Sequence, residues 1–148
     1  MNNMKIRFNQ NNPSPFVIPK GFYRARLLHV KSPPENKGSC PIEDQVVFQF
    51  ELEPPLDWQG PEPLLAKAQR CACKKCNSFP DRSSSRFLER WLGDDVHEII
   101  DRDGNADLSL LRNVEADVEI THYQGPGYSQ PYTILKWAYT PGTKVKYE

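Results

Sequence analysis

The stretch from Gln45 to Leu52 is the feature that most restricts the fold of this chain. Polar and apolar positions alternate through it, and the apolar ones include Val46, Phe48 and Phe50. Such alternation is typical of a β-strand with one buried and one solvated face. The 14 prolines and the modest 38% of hydrophobic residues also favour a loop-rich β protein over a helix bundle.

Four further segments have strand-like patterns, at residues 22–30, 64–73, 114–121 and 132–139. In the first, Tyr23, Ala25 and Leu27 share the predicted inner face, and the doubled Leu27-Leu28 breaks the alternation as a β-bulge would. In 114–121, Asp117 is predicted to point outward, away from the inner positions.

One short amphipathic helix is predicted between the third and fourth strands. Asp81 or a residue of 83–85 is the expected N-cap, and Gly93 the expected end. The apolar residues at helical spacing are Phe87, Leu88, Trp91 and Leu92. The element order is then β-β-β-α-β-β. It predicts an all-β fold with one short helix, a five-stranded OB-fold-like barrel.

The length of 148 residues fits one domain. We expect an OB-fold-like domain over residues 21–141, preceded by a flexible arm at 1–20 and followed by a frayed tail at 142–148. Phe16 or Ile18 is expected to reach the edge of the core. With neither a long apolar run nor a signal-peptide pattern, no membrane span is expected, and the expected localisation is cytoplasmic.

Three short motifs carry a resemblance to a known family. They read GFYRAR at 21–26, a Ser-rich turn leading into FLxxWLG at 87–93, and NVxAxV at 113–118. Over roughly residues 21–141 the chain resembles short OB-fold proteins of phage and prophage clusters, described as single-stranded DNA-binding or uncharacterised. The resemblance implies an OB-fold and single-stranded nucleic-acid binding in a phage-type replication or recombination module.

The charges are balanced overall but unevenly distributed. The chain has 19 basic and 19 acidic residues, so it lacks the basic excess of many nucleic-acid binders. Residues 63–90 carry seven basic and two acidic side chains, whereas residues 91–119 carry two basic and nine acidic ones. Such blocks can form opposed charged faces or ordinary alternating surface patches, and the sequence leaves both open.

A basic track and a group of tyrosines are the candidate nucleic-acid contacts. OB-folds bind strands across their second and third strands, and single-strand binding combines cationic and stacking side chains. The tyrosines bracket a glycine-rich loop, although they could equally cover the barrel mouth. The predicted contacts are Arg24, Arg26, Lys67, Arg70, Lys74, Lys75, Tyr123, Tyr128 and Tyr132.

The four cysteines are Cys40, Cys71, Cys73 and Cys76, and the predicted hairpin of strands two and three brings them together. If paired residue numbers sum to about 117, Gln45 faces Ala72 and Cys40 falls beside Cys76. The two-residue gap between Cys73 and Cys76 is common in zinc sites, and the adjacent lysines offset thiolate charge. The sequence predicts one structural zinc ion and leaves reduced thiols or a disulfide as alternatives.

No catalytic constellation is present, so the chain is not expected to be an enzyme. His29, His97 and His122 fall on separate elements, without a nearby nucleophile and orienting acid. Two functions remain open. The first is single-stranded DNA or RNA binding. The second is an OB-fold protein-interaction domain, stabilised by zinc or by its cysteine cluster, that binds another protein or a second copy of the chain.

Overall fold

The computed structural model describes residues 17–33, 40–127 and 131–145. Within these ranges the chain forms five strands and one α-helix in the predicted order. Two 3₁₀ turns, Gly93–Ile99 and Leu108–Leu111, connect the helix to the fourth strand. The elements are β1 Gly21–Lys31, β2 Gln45–Leu52, β3 Leu64–Cys71, α1 Ser84–Leu92, β4 Glu115–Tyr123 and β5 Tyr132–Tyr139. The prediction of a mostly β fold with one short helix is confirmed.

The five strands form one antiparallel sheet with the order β3-β2-β1-β4-β5. The first half of β1 pairs with β4 and the second half pairs with β2. Within the ladder with β2, Leu27 pairs with Phe50 and His29 with Gln49, so Leu28 is the extra residue of the predicted bulge. No ladder in the described residues joins β3 to β5, so the sheet is not closed by hydrogen bonds.

The core lies between the inner face of the sheet and α1. Phe48 stacks on Phe87 with ring centroids 4.8 Å apart, and Phe50 meets Trp91 edge-on at 5.2 Å. The Trp91 indole donates to the Glu115 carbonyl at 2.8 Å, which ties the helix to β4. The pattern predicts that Val46, Phe48, Phe50, Leu52, Phe87, Trp91, Val118 and Ile120 share one core, and of these eight Val46 packs at the margin. The buried seven are Phe48, Phe50, Leu52, Phe87, Trp91, Val118 and Ile120.

Both predicted ends of α1 are confirmed. The Ser83 hydroxyl accepts from the Arg86 N–H at 3.3 Å and caps the first turn. Gly93, with φ of 58°, ends the helix in the left-handed region that glycine enters without steric cost. The helix between these ends has nine residues.

In the part of the chain that the structure describes, no helix is both long and apolar enough to cross a membrane.

The β2–β3 register differs from the prediction by one residue. Gln45 pairs with Cys71, rather than with Ala72, and Leu52 pairs with Leu64. Directly paired residues share a face, and both Leu52 and Leu64 are buried. The predicted register would have opposed Leu52 to Leu65, which is exposed, so core packing selects the observed one.

Asp117 is buried, contrary to the prediction that it points to solvent. Its side chain is 0% exposed and accepts from the Arg24 guanidinium. Backbone N–H groups of Gly142, Lys144 and Val145 donate to its second oxygen at 2.9–3.1 Å. The chain after β5 therefore covers this part of β4, and residues 142–145 of the predicted tail are hydrogen-bonded.

The residues just before β1 also contact the sheet. Ile18 is buried in the core, as predicted, and its carbonyl lies 2.6 Å from His122 Nε2. The Tyr23 hydroxyl donates to the Pro19 carbonyl at 2.6 Å. Phe16 and the rest of the predicted arm, residues 1–16, lie outside the described residues.

Candidate metal centre

Three cysteines lie where β3 ends and the chain turns toward α1. Residues 72–82 form a closed loop, here called the cysteine loop. At its base the Cys71 N–H donates to the Arg82 carbonyl at 2.8 Å. Within it, the Asn77 N–H donates to the Cys73 carbonyl at 3.1 Å and leads into a 3₁₀ turn at Cys76–Ser78. This curl ends β3 at Cys71, two residues before the predicted end.

Cys40 reaches the loop from the other side of the β2–β3 hairpin. The Gln45 side chain donates to the Cys40 carbonyl at 3.0 Å, and a 3₁₀ turn at Ile42–Asp44 carries the chain between them. The Ala72 N–H donates to the Asp44 carbonyl at 2.8 Å, which fixes this turn against the cysteine loop. Cys40 is thus brought to the cluster by a turn beyond the ladder, rather than by the predicted strand pairing.

The four sulfurs form one compact group, with every pair within 4.8 Å. Cys40 Sγ lies 3.2 Å from Cys76 Sγ and 3.3 Å from Cys73 Sγ. These separations exceed the ~2.05 Å of a disulfide bond, and all four cysteines are free. Sulfurs at ~2.3 Å from a tetrahedral zinc ion would be about 3.8 Å apart. A shift of roughly half an ångström in the shortest contacts would therefore reach that geometry.

The surroundings of the cysteines shift the pKa values of three of the four thiols in different directions. The Cys76 N–H and the Cys40 thiol, both close to Cys73 Sγ, lower the pKa of Cys73 to about 7. The hydrogen bond with Cys40, followed by burial, raises the pKa of Cys76, and burial raises that of Cys71. Thiolates are the metal-binding form, so a cation entering here would displace protons from the remaining thiols.

The donor set fits a soft or borderline divalent cation. Four sulfurs without oxygen ligands are the usual donors of structural zinc. Backbone N–H groups support them: Cys73 N donates to Cys71 Sγ and Cys76 N to Cys73 Sγ, each at 3.4 Å. Such outer contacts orient the ligands of a metal site. Lys74 and Lys75 are exposed beside the cluster, where their charge opposes that of thiolates.

Apart from Arg70, the residues of the predicted basic track fall into two groups in the structure, exposed lysines and arginines that form ion pairs. Lys67, Lys74 and Lys75 are exposed. Arg24, by contrast, pairs with Asp117 at 2.8 Å, and Arg26 pairs with Glu51 at 2.8 Å. The role of all these residues in nucleic-acid binding stays a prediction.

Arg70 faces the core, contrary to the predicted outward orientation. It is 9% exposed, with its guanidinium carbon 4.9 Å from the Phe87 ring centre and 5.6 Å from that of Trp137. It donates to the Lys136 carbonyl, and burial lowers its pKa. In β3 the side chains alternate between the two faces, and Lys67 and Gln69 point outward. Arg70, which pairs with Val46 of β2, therefore lies on the inner face.

Tyr123 and Tyr132, two of the predicted tyrosines, lie at the other end of the sheet from the cysteines. Tyr123 and Tyr132 pair across β4 and β5, beyond the Gly21 end of β1, whereas the cysteine cluster lies toward its Lys31 end. Tyr123 is 54% exposed. Tyr128 lies outside the described residues. The structure therefore does not bring these tyrosines together with Lys74 and Lys75.

Sequence reasoning missed Phe79, an exposed aromatic residue of the cysteine loop. Its side chain is 49% exposed, and the Arg82 guanidinium carbon lies 5.6 Å from its ring centre. The available indication was its position in a polar turn next to Pro80, outside any apolar periodicity.

Comparison with known proteins gives no match, either to a protein-family model or to a curated protein. The resemblance to phage-type OB-fold proteins therefore stays a prediction.

Proposed function

We propose that this chain is a zinc-binding module that uses Cys40, Cys71, Cys73 and Cys76 to hold one structural zinc ion. The observation that carries the proposal is the convergence of four sulfurs from two separate segments, all within 4.8 Å of one another. Ordinary buried thiols have no need to converge. The ion would link the end of β3 to the chain just before β2.

The proposed role of the ion is structural rather than catalytic. Four protein ligands complete the tetrahedral shell of zinc and leave no position for water or substrate. Cys71 and Cys76 are buried, which limits access to the centre. Zinc would thus contribute to folding by fixing the cysteine loop, and the module would act by binding a partner.

We also propose that the sheet curls into a partly open OB-type barrel. The supporting contacts lie at its edges: Arg70 of β3 donates to the Lys136 carbonyl of β5, and α1 packs against both strands. An OB-fold is a five-stranded, partly open barrel, which agrees with edge strands that contact each other without a ladder.

Metal analysis of the purified protein tests the zinc proposal. We expect close to one equivalent of zinc, with four sulfur ligands at ~2.3 Å in X-ray absorption. Protein prepared under reducing conditions with zinc in the medium is the sample, and the Cys40→Ser variant is the control. A wild-type protein without bound zinc after this preparation would refute the site.

Single-stranded nucleic-acid binding is the second candidate function. One observation favours it: Lys67, Lys74 and Lys75, the lysines of the predicted track, are all exposed within a segment that carries seven basic and two acidic residues. This function would agree with a role in a phage-type replication or recombination module.

Binding to labelled single-stranded DNA and RNA tests this second candidate. Affinity should fall as salt rises, with a log–log slope of ~0.7 per neutralised phosphate. If zinc-loaded protein binds neither strand at ~50 mM salt, where such contacts are strong, a protein partner or a second copy of the chain becomes the favoured ligand.

A further inference from the structure

We infer that the cysteine loop, with Phe79 as its stacking side chain and Arg82 beside it, is the surface that binds a single strand. This inference rests on the second candidate function and names its site. It assigns a role to two residues outside the predicted track, and it places the contact on a loop rather than on the outer face of β2 and β3.

The cysteine loop is held in one shape before any ligand arrives. The bond from the Cys71 N–H to the Arg82 carbonyl closes its base. Phe79 itself is fixed through its backbone: its N–H donates to the Cys76 carbonyl at 2.9 Å, and its carbonyl accepts from the Arg82 N–H at 2.9 Å. A preorganised loop loses little conformational entropy when it binds a ligand, so an exposed ring on this loop can act as a stacking platform.

Phe79 has the properties of a stacking platform. Its ring is 49% exposed, and it lies outside the aromatic cluster of the core. Base–aromatic stacking tolerates any base because every base has a π-face. The Arg82 guanidinium, 5.6 Å from the ring centre, is placed where it could contact a phosphate next to a stacked base.

The charge around Phe79 suits a polyanion. The cysteine loop carries Lys74, Lys75 and Arg82 against one acid, Asp81, which interacts electrostatically with Arg70. A zinc ion with four thiolates has a net charge of about −2, which the two lysines balance. Arg82, with the exposed Arg86 of the first turn of α1, then supplies the excess, so electrostatic attraction should be modest.

The exposed apolar area of the cysteine loop is too small for a stable protein interface. Phe79 is the only large apolar side chain in the sequence of the cysteine loop. One half-exposed ring cannot supply the apolar part of a stable protein interface, in which more than half of the ~800 Å² per partner is non-polar. An exposed ring with a cation beside it, as Phe79 has in Arg82, matches the aromatic and basic side chains that sequence-tolerant single-strand sites combine.

Fluorescence anisotropy with labelled oligo-dT and oligo-rU of about 15 nucleotides tests the inference on zinc-loaded protein. Phe79→Ala should weaken binding by roughly 5- to 100-fold, the loss of one stacked base, and Phe79→Trp should retain it. Arg82→Glu should weaken binding and reduce the salt slope by about 0.7, the value for one phosphate contact on a single strand. Zinc content and the thermal midpoint should stay unchanged in all three variants, since these side chains are exposed.

Lys67→Glu and Tyr123→Ala test the rival sites, the predicted strand track and the tyrosines at the far end of the sheet. Phe22→Ala, which removes another half-exposed ring away from the cysteine loop, is the matched control and should bind as the wild type does. If Lys67→Glu or Tyr123→Ala loses binding while Phe79→Ala and Arg82→Glu bind normally, the inference is overturned and nucleic-acid binding stands. If the unmodified protein binds no strand, the second candidate function itself fails. A dimer that Phe79→Ala converts to monomer, without strand binding, would assign the surface to self-association and overturn the inference.

Discussion

Arg24 and Asp117 form an ion pair between neighbouring strands β1 and β4, in which Arg24 Nε donates to Asp117 Oδ1 at 2.8 Å. The second carboxylate oxygen of Asp117 accepts three backbone N–H groups from residues 142–145. Both oxygens are thus used, and a carboxylate that is fully buried is compensated on each side. This one side chain joins the middle of the sheet to residues 142–145.

Asp117→Asn should destabilise the protein by about 2–4 kcal/mol. The amide keeps one acceptor oxygen, but it leaves Arg24 with only the exposed Glu115 as a counter-charge and sets an NH₂ group against N–H donors. Urea unfolding measures the change. Glu115→Gln is the control: Glu115 Oε1 is exposed and 3.6 Å from Arg24, so that substitution should cost less than ~1 kcal/mol. Equal effects of the two substitutions would contradict the assigned role of Asp117.

The stability should also depend on pH through Asp117. Burial by itself raises its pKa, but the hydrogen bonds from the Val145 N–H, Arg24 and the Lys144 N–H outweigh it, so the pKa is lowered overall. A lowered folded-state pKa stabilises the fold above the unfolded value of about 4, and the contribution is lost as pH falls through the folded value.

Urea midpoints measured between about pH 6 and pH 2 test this dependence. The wild type should lose stability below about pH 4, and Asp117→Asn should lack that part of the decline. Parallel curves for the two proteins would mean that another carboxylate is responsible.

Phe48→Ala should cost about 3–5 kcal/mol, because it removes a fully buried ring that stacks on Phe87 at 4.8 Å and leaves a cavity. Phe22→Ala is the matched control on the neighbouring strand. Phe22 is 43% exposed, and its removal should cost about 1 kcal/mol or less. Chemical denaturation compares the two, and a larger loss at Phe22 would contradict the observed strand faces.

Removal of zinc should lower the melting temperature, because the ion would connect two segments that the unfolded chain leaves apart. Cys40→Ser should lower it nearly as much as a chelator does, and the chelator should then have little further effect on the variant. Differential scanning calorimetry measures both. Additive effects of chelator and substitution would indicate that Cys40 and the metal act independently.

The sequence predicted the order of the elements and the core because both depend on local periodicity. The alternation through Phe48 and Phe50 and the helical spacing of Phe87 and Trp91 require one apolar side to be buried, and no long-range information is needed. The bulge at Leu28 and the cap at Ser83 were likewise predictable from their immediate neighbours.

The errors arose where distant segments meet. The strand pattern alone predicts that Asp117 is solvated, because it gives no sign that residues 142–145 cover it. The pattern likewise predicts that Arg70 is a surface cation, because it gives no sign that Trp137 lies beside it. The cysteines were grouped correctly, although the strand register that grouped them was displaced by one residue. Turns at Ile42–Asp44 and Cys76–Ser78 bring Cys40 to the cluster, and neither turn follows from the strand pattern.

The dependence of Asp117 on residues 142–145 has a consequence for synthesis on the ribosome. Translation proceeds from the N-terminus, so β4 leaves the exit tunnel before the donors that its carboxylate requires. Until residues 142–145 emerge, Arg24 can pair with one oxygen of Asp117, but the second oxygen at the centre of the nascent sheet lacks its three N–H donors. We therefore expect this sheet to complete its folding only after residue 145 has left the tunnel, and a ribosome-stalled chain whose emerged part stops shortly after β5 to remain sensitive to protease.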